Sequence, residues 1–301
     1  MPDPYRTFRD ELLTAGLLVP CGADGLYGRS GRFEDIVDAV GARITAAALD
    51  QDAGVIRFPP VVPRWVVERT GYHQSFPNLA GSVYSFSGDD TEHADLVGRA
   101  AGGEDWRGAL RPTDVMLCSA ACHPLYPSCS GVQPAGGRRY DVYGYVFRNE
   151  PSVDPARMQA FRQRELVYLG DSGGARAHRD LWVDRGLDLL GGLGLIVEPQ
   201  VASDPFFGRV GRLISSSQQE QGLKIEILTP ICAAEAPTAI ASGNCHLDHF
   251  AEPFGIRTAS GSVAHTACIG FGMERIALAL LSRHGLDPGA WPLAVRDRLW
   301  A

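Results

Sequence analysis

The chain has 301 residues, of which 45% are hydrophobic and 21% are charged, a balance typical of a globular protein with a sizeable core. Its formal net charge of −7 argues against a protein that wraps along nucleic acid. No apolar run approaches the length of about eighteen residues that a bilayer span needs, and the first residues lack the apolar core of a signal peptide. We therefore expect a cytoplasmic protein without membrane attachment.

Apolar residues at helical spacing predict a long helix over 33–49, and a short strand at 54–60 follows and ends at two prolines. Residues 88–113 are polar and glycine-rich, which predicts a loop or a weak helix. Short β-type runs predominate from residue 140 onward, and the last of them leads into a predicted helix over 273–283. The predicted strands cover 140–149, 158–169, 223–230, 237–243 and 262–271. Adjacent strands with few helices between them favour an α+β fold, an antiparallel sheet flanked by helices, in a single domain over 1–301.

The basic residues and the cysteines limit the chemistry that the chain can use. Lys224 is the single lysine among 28 basic residues and Ile225 follows it, so the chain has no Walker A loop. Seven scattered cysteines without an export signal favour buried thiols or metal ligands over a disulfide framework. The Gly-x-Ser-x-Gly pattern at 170–174 follows a predicted strand and is interpreted as a glycine-rich turn, not as a protease nucleophile.

Two segments carry the strongest functional pattern. In the first, a strand leads to Arg148 and Glu150, and after a loop a returning strand carries Phe161 and Glu165. Because side chains alternate along a strand, each of these pairs shares one face. In the second, a strand runs into a helix and places Arg275 near the helix N-terminus, which favours anions.

Together these segments resemble motifs 2 and 3 of class II aminoacyl-tRNA synthetases. The Pro59-Pro60 strand after its long helix resembles motif 1, the usual dimer contact of that class. The segments 223–230 and 242–248 resemble the seryl branch and occur in the same order as in that branch. The resemblance implies a class II synthetase-like fold and a homodimer built through residues 31–60.

The resemblance also implies how ATP with Mg²⁺ binds. Arg148 and Arg275, the implied catalytic residues, would clamp the α- and γ-phosphates with planar guanidinium groups. Phe161 would stack on adenine, Glu150 would accept a hydrogen bond from the adenine amino group, and Glu226 would hold Mg²⁺ against the phosphates. The other implied nucleotide ligands are Arg157, Met158 and Lys224, and the implied ligands of the amino acid are Glu165 and Asn244.

The chain is more similar to the atypical archaeal seryl branch than to ordinary seryl enzymes. That branch implies a zinc ion held by Cys122, Glu165 and Cys268, which would leave an open position for the substrate's amino group. These residues lie far apart in the chain, so no local spacing reveals such a site. Two alternatives stay open: a local pair of Cys118 and Cys122, or three buried thiols beside an unrelated carboxylate.

The resemblance covers roughly residues 30–285, and we expect a single catalytic domain without a tRNA-binding domain. This combination resembles the amino acid:[carrier protein] ligases, which form an aminoacyl-adenylate and pass the amino acid to the phosphopantetheine thiol of a carrier protein. The resemblance implies a ligase that prefers glycine, then alanine, and accepts serine poorly. The apolar residues Ile269, Phe271 and 231–233 support the same preference, because a pocket without a partner for the serine hydroxyl gains nothing from binding serine.

Carrier proteins are acidic, so we expect a basic docking surface and no tRNA partner. The segment from Asp204 to Ser217 is predicted to form an amphipathic helix with Arg209 and Arg212 off its apolar stripe. A helix packed on the core with solvated arginines explains the same pattern.

Two other functions stay open: a minimal aminoacyl-tRNA synthetase or adenylate-forming enzyme with another acceptor, and a synthetase-like regulatory or binding paralogue.

Overall fold

A computed structural model describes residues 3–204 and 218–300. The N-terminal part contains α1 (Pro4–Thr14), the hairpin β1 (Leu18–Pro20) and β2 (Tyr27–Arg29), α2 (Gly31–Ala47) and β3 (Gly54–Ile56). A small sheet region follows, with β4 (Val61–Pro63), α3 (Arg64–Arg69), α4 (Tyr72–Ser75), β5 (Ser82–Ser85), α5 (Asp90–Ala101) and β6 (Arg111–Leu117). The remaining elements are β7 (Gly131–Val132), β8 (Arg138–Phe147), β9 (Ala160–Gly170), α6 (Ser172–Gly192), β10 (Glu198–Ala202), β11 (Lys224–Thr229), β12 (Thr238–Leu247), β13 (Ile256–Arg257), β14 (His265–Gly272), α7 (Met273–His284) and α8 (Leu293–Leu299).

Within the described residues, seven strands form the central sheet in the order β10-β11-β12-β14-β9-β8-β3. Every neighbouring pair in it is antiparallel except β3, which runs parallel to β8 at one edge. Helices α2, α6 and α7 cover one face, where they enclose the main hydrophobic core. The antiparallel sheet flanked by helices is thus confirmed. Among the described residues, no helix combines the length and the apolar character needed to cross a bilayer.

Helix α2 begins two residues before the predicted start, because the Ser30 side chain accepts a hydrogen bond from the Phe33 N–H and caps the helix. The four positions whose spacing predicted it, Ile36, Val37, Val40 and Ile44, are all buried. The polar region 88–113 contains the helix α5, which a capping box begins and in which no residue is buried.

Helix α6 was not predicted from the sequence, although it has 21 residues. The face that it buries carries His178, Arg179, Trp182 and Gly186, which do not form an aliphatic stripe. Gly186 allows a close approach to the sheet, since a Cβ there would lie 2.7 Å from Ile227 Cδ1. Periodicity in hydrophobicity therefore does not reveal this helix, because its buried face includes polar side chains and a glycine. The Gly-x-Ser-x-Gly segment is the junction of β9 and α6.

Buried ion pairs connect the sheet to its covering helices. Arg162 on β9 donates from Nε to Glu274 Oε1 of α7 at 2.7 Å and from Nη1 to Glu34 Oε2 of α2 at 2.6 Å. The Arg162 backbone N–H also donates to Glu274 Oε2 at 2.7 Å. Arg164, two residues further along, bonds to Asp141 of β8 and to the Gly41 carbonyl of α2. Because Glu274 is 1% exposed, its charge depends on these donors.

The substitution Glu274→Gln is expected to lower the free energy of unfolding by about 3 kcal/mol, the lower end of the range for breaking a buried ion pair, since Glu34 still neutralises Arg162. Glu68→Gln removes one partner of the exposed Arg64–Glu68 pair and is expected to cost less than about 1 kcal/mol. Urea unfolding of both variants measures the difference. Equal effects would show that the Arg162–Glu274 pair does not connect the layers.

Candidate active site

A cavity of about 1360 Å³ opens on the face of the central sheet that the three helices leave free. Its walls come from β9, β11, β12 and β14, the start of α7, and the loops that follow β6 and β8. The predicted site residues that line it are Cys122, Arg148, Glu150, Arg157, Phe161, Glu165, Lys224, Glu226, Asn244, Cys268 and Arg275. Residues from distant parts of the sequence therefore meet in one cavity.

One predicted site residue does not line this cavity, and one predicted segment is not described. Met158, predicted to bind the nucleotide, is 4% exposed and belongs to the main core, whereas its neighbour Arg157 lines the cavity. The predicted docking segment from Asp204 to Ser217 lies outside the described residues after Asp204.

The alternation of side chains along β9 determines which residues of motif 2 reach the cavity. Phe161, Gln163 and Glu165 line it, while Arg162 and Arg164 point to the opposite face and form the buried ion pairs. The predicted shared face of Phe161 and Glu165 is confirmed. Gln163 lies on the same face between them and was not predicted.

Arg148 lies where β8 ends, beside Phe161. Its guanidinium carbon is 5.6 Å from the centre of the Phe161 ring, and Nε donates to the Ser119 carbonyl at 3.3 Å. These contacts orient the guanidinium without a carboxylate partner among the described residues. Its charge is therefore available to an anion that enters the cavity.

Arg275 lies in the first turn of α7 and is also held by neutral groups. Its Nε donates to the Ala156 carbonyl at 2.8 Å and its Nη1 to the Ala239 carbonyl at 2.9 Å. Burial, and next the positive charges of Arg148 and Arg157, lower the pKa of Arg275 to about 10. Three guanidinium groups that repel one another across a cavity favour binding of a polyanion between them.

The single lysine does not offer a free charge to a nucleotide. Lys224 Nζ lies 2.6 Å from Asp204 Oδ1 and 2.9 Å from Glu226 Oε1, and the two carboxylates outweigh burial and raise its pKa. Gln218 donates to Asp204 Oδ2 at 2.8 Å and accepts from the Asp204 N–H at 2.6 Å. The predicted Mg²⁺ ligand Glu226 thus shares Lys224 with Asp204. The predicted role of Lys224 as a nucleotide ligand has no support in these contacts.

The other end of the cavity brings Cys122, Cys268 and Glu165 together. The Cys122 N–H donates to Glu165 Oε1 at 3.3 Å. The pKa of the Cys122 thiol is raised well above its usual range, first by its hydrogen bond to Cys268, then by burial and by the charge of Glu165. The hydrogen bond to Cys122 lowers the pKa of Cys268, but burial and Glu165 outweigh it and raise the pKa overall.

Polar groups surround the two thiols. The Asn244 amide donates to Cys268 Sγ at 3.8 Å, and His246 Nε2 lies 3.6 Å from the same sulfur. Burial lowers the pKa of His246 to about 3, so its ring is neutral. Tyr126 is fully buried and its hydroxyl has no hydrogen-bond partner of regular geometry within the described part of the chain; burial, then the charge of Cys122, raises its pKa.

Two thiols and a carboxylate are suitable donors for zinc, and the unpartnered Tyr126 hydroxyl beside them marks a polar site that is incomplete without a further group. No group of three or more His, Cys, Asp and Glu side chains in residues 3–204 and 218–300 is arranged to hold a metal ion. The three predicted zinc ligands therefore lie together and are suitable donor types, but they are not arranged in a coordination geometry. The alternative ligand Cys118 instead donates to the Ala120 carbonyl at 3.0 Å.

The apolar residues that were predicted to shape the amino acid pocket point away from it. Ile269 and Phe271 are fully buried in the main core, because they alternate along β14 with Cys268 and Gly270, which line the cavity. Ile231 also packs in that core. The sequence argument for a pocket that excludes serine was therefore wrong about its residues.

Several residues of the cavity wall were missed from the sequence. The period of two between Phe161 and Glu165 would have identified Gln163, and His246 lies in the segment 242–248 that resembles the seryl branch. Ser119 and His123 lie in a loop that only the fold brings to the cavity.

Comparison with known proteins supports one family. No protein-family model matches the chain. Two proteins of Bradyrhizobium diazoefficiens are similar over nearly its full length: amino acid–[acyl-carrier-protein] ligase 2, 43% identical over 289 residues, and ligase 1, 42% identical over 304 residues. These alignments cover 95% and 99% of the chain, and 86% and 92% of the relatives.

The fold is similar to that of a class II aminoacyl-tRNA synthetase. A crystal structure of Methanopyrus kandleri seryl-tRNA synthetase in complex with an Aquifex aeolicus tRNA superposes with a TM-score of 0.81 at 20% identity. The superposition covers 97% of this chain and 60% of the synthetase. With a class II synthetase fold and such identity to two ligases over its length, the chain belongs to the amino acid–[acyl-carrier-protein] ligase family.

Proposed function

We propose that this ligase activates a small amino acid with ATP and Mg²⁺ as an aminoacyl-adenylate and transfers it to the phosphopantetheine thiol of an acidic carrier protein. In the first step, a carboxylate oxygen of the amino acid attacks the α-phosphorus and pyrophosphate leaves. In the second, the thiol sulfur attacks the carbonyl carbon with loss of the thiol proton, and AMP leaves. The observation that carries this proposal is the presence of Arg148 and Arg275, without carboxylate partners among the described residues, in one cavity with Glu165 and the two thiols.

The arginine end suits the triphosphate. Arg148 and Arg275 would neutralise the charge that builds up at the α-phosphorus. The bound phosphates would also offset the repulsion from Arg148 and Arg157, which after burial lowers the pKa of Arg275. Phe161 lies against Arg148 and offers its ring to adenine, with Glu150 at the same end. Glu226 would bind Mg²⁺ after release from Lys224.

The thiol end suits the amino group of the substrate. We propose that zinc binds to Cys122, Glu165 and Cys268, whose side chains lie within hydrogen-bond reach of one another. When bound, zinc supplies a Lewis-acidic position for a neutral amino group. Asn244 and His246 would hold the Cys268 sulfur in place.

The proposed substrates are glycine first and alanine second, with serine poor. The support for this order is the family resemblance, together with an aromatic layer directly behind the thiols. In that layer the Tyr126 and Phe250 rings stack with centroids 4.3 Å apart, and His246 meets Phe250 edge-on at 4.9 Å. Large side chains in this position favour a small amino acid.

A homodimer through α2 and β3 stays part of the proposal, as does a cytoplasmic location. Val55 on the edge strand β3 is 66% exposed, and Leu49 between α2 and β3 is 80% exposed. Apolar residues at an edge strand suit burial against a second copy.

The function is tested by incubating the enzyme with ATP, Mg²⁺, labelled glycine and a carrier protein with phosphopantetheine attached. We expect a labelled thioester and one AMP per transfer, and no label on the same carrier without phosphopantetheine or on tRNA. ATP–pyrophosphate exchange should decrease from glycine to alanine to serine. Labelled tRNA would contradict the proposed acceptor, serine exchange equal to glycine exchange would contradict the proposed substrate, and a complete lack of exchange would contradict the adenylate.

The substitution Arg275→Ala should lower the rate of ATP–pyrophosphate exchange by about 10²–10³-fold, the scale for removing one group that stabilises charge in the transition state. The matched control is Arg283→Ala, on the same helix but bonded to the Gly194 carbonyl away from the cavity. It should keep the wild-type rate. Exchange at the wild-type rate in Arg275→Ala would mean that the phosphates bind elsewhere.

The substitution Cys268→Ala should remove zinc, from one ion per chain to nearly none, and abolish amino acid activation while most of the fold remains. Elemental analysis gives the zinc content, and circular dichroism monitors the fold. Cys129→Ala, at a buried cysteine outside the cavity, should keep both zinc and activity. Unchanged zinc and activity in Cys268→Ala would refute the ligand set.

A further inference from the structure

Gln163 lies in the middle of the cavity wall, between the two ends that the proposed reaction uses. It is the side chain between Phe161 and Glu165 on the face of β9 that lines the cavity, and alternate residues on a strand are about 6.6 Å apart. The nucleotide end begins at Phe161 and the thiol end at Glu165. Gln163 therefore stands at the junction of the two.

The charges of its neighbours determine how the Gln163 amide is oriented. The amide is therefore assigned with its oxygen towards Arg148 and its nitrogen towards Glu165; in this orientation the oxygen accepts a hydrogen bond from Arg148 Nη2 at 3.2 Å, and the nitrogen donates to Glu165 Oε1 at 3.2 Å. One neutral side chain thus contacts the proposed phosphate-binding cation and the carboxylate of the thiol end at the same time. The Gln163 N–H that donates to Glu165 can donate to the carboxylate of a substrate instead.

The dimensions of an amino acid place its carboxylate over this bridge. The amino nitrogen and the carboxyl carbon are separated by one carbon atom, about 2.5 Å in all. If the amino group binds at Glu165 and the thiols, the attacking carboxylate oxygen must lie towards Arg148, where the α-phosphate is proposed to bind. The reacting carboxylate then lies beside the Gln163 amide.

We propose that Gln163 positions the substrate carboxylate for attack: its N–H turns from Glu165 to a carboxylate oxygen, while its carbonyl keeps Arg148 aligned on the phosphate. This inference rests on the proposed function. A neutral amide suits the position because a carboxylate there would repel the substrate, and a further cation would repel Arg148 and Arg275. The hydrogen bond specifies an amino acid with a free carboxylate rather than an amine in general.

The test measures the KM for glycine and the KM for ATP separately, in ATP–pyrophosphate exchange. Gln163→Glu should raise the KM for glycine by at least about 10-fold, as expected when a charge-assisted hydrogen bond becomes a repulsion, and the KM for ATP by a clearly smaller factor, because the new carboxylate also pairs with Arg148. Gln163→Met, which keeps the size, should raise the KM for glycine by about 3–10-fold through the lost hydrogen bond. The matched control is Gln159→Glu, since Gln159 lies outside the cavity and donates to the Asp24 carbonyl; it should leave both constants unchanged.

A competitor without a carboxylate separates the two halves of the substrate. Glycinamide keeps the amino group, so Gln163→Glu should change its inhibition of the exchange by less than about 3-fold while glycine binding weakens. An unchanged KM for glycine in both Gln163 variants would overturn the inference. So would equal increases in both KM values, which would show that Gln163 only supports Arg148. Absence of exchange in the wild-type enzyme would instead contradict the proposed function. Thermal melting shows whether each variant is folded, and if Gln163→Glu is not, the KM values of Gln163→Met decide the test.

Discussion

The alternation of side chains along β9 is the constraint on which the rest of the structure depends. The even-numbered residues Arg162 and Arg164 point towards the helices and form buried ion pairs that join the sheet to α2 and α7. The odd-numbered residues Phe161, Gln163 and Glu165 form a continuous wall of the cavity. Because a single strand supplies both sets, a shift of register by one residue would place charged anchors in the cavity and the site residues in the core.

Charge then divides the cavity into two ends with different chemistry. Arg148 and Arg275 are held by backbone carbonyls or by an amide, and neither forms an ion pair with a carboxylate among the described residues. At the other end, the Glu165 carboxylate lies beside two thiols: the hydrogen bond to Cys268, burial and Glu165 raise the pKa of Cys122, and burial and Glu165 raise that of Cys268. One end therefore favours an anion and the other a cation or an amino group, which are the two poles of an amino acid being activated by a nucleotide.

The class of fold could be predicted because strand and helix patterns are local, and the site residues were predicted from the resemblance of short motifs in a fixed order. The strand–helix junction at Arg275 and the shared face of Phe161 and Glu165 follow from the periods of a helix and a strand. Predictions failed where a side chain's direction depends on packing. Ile269 and Phe271 are adjacent to Cys268 and Gly270 in sequence but face the core, and α6 buries a face that contains His178 and Arg179. A hydrophobic pattern does not indicate the buried face of α6, because polar residues on that face are buried by packing against the sheet.

By itself, the sequence determined the class of fold, the family and the residue types of the site, since motifs of a few residues carry local geometry and a fixed order along the chain. Only the tertiary structure decided which of those residues share one cavity, because the distance between Cys122, Glu165 and Cys268 depends on how three separate segments pack against the sheet. It also decided that Lys224 is paired with two carboxylates, that Met158 belongs to the core, and that Gln163 bridges the two ends. Such pairings are long-range contacts, and their partners are determined by sheet register and burial rather than by neighbours in the chain.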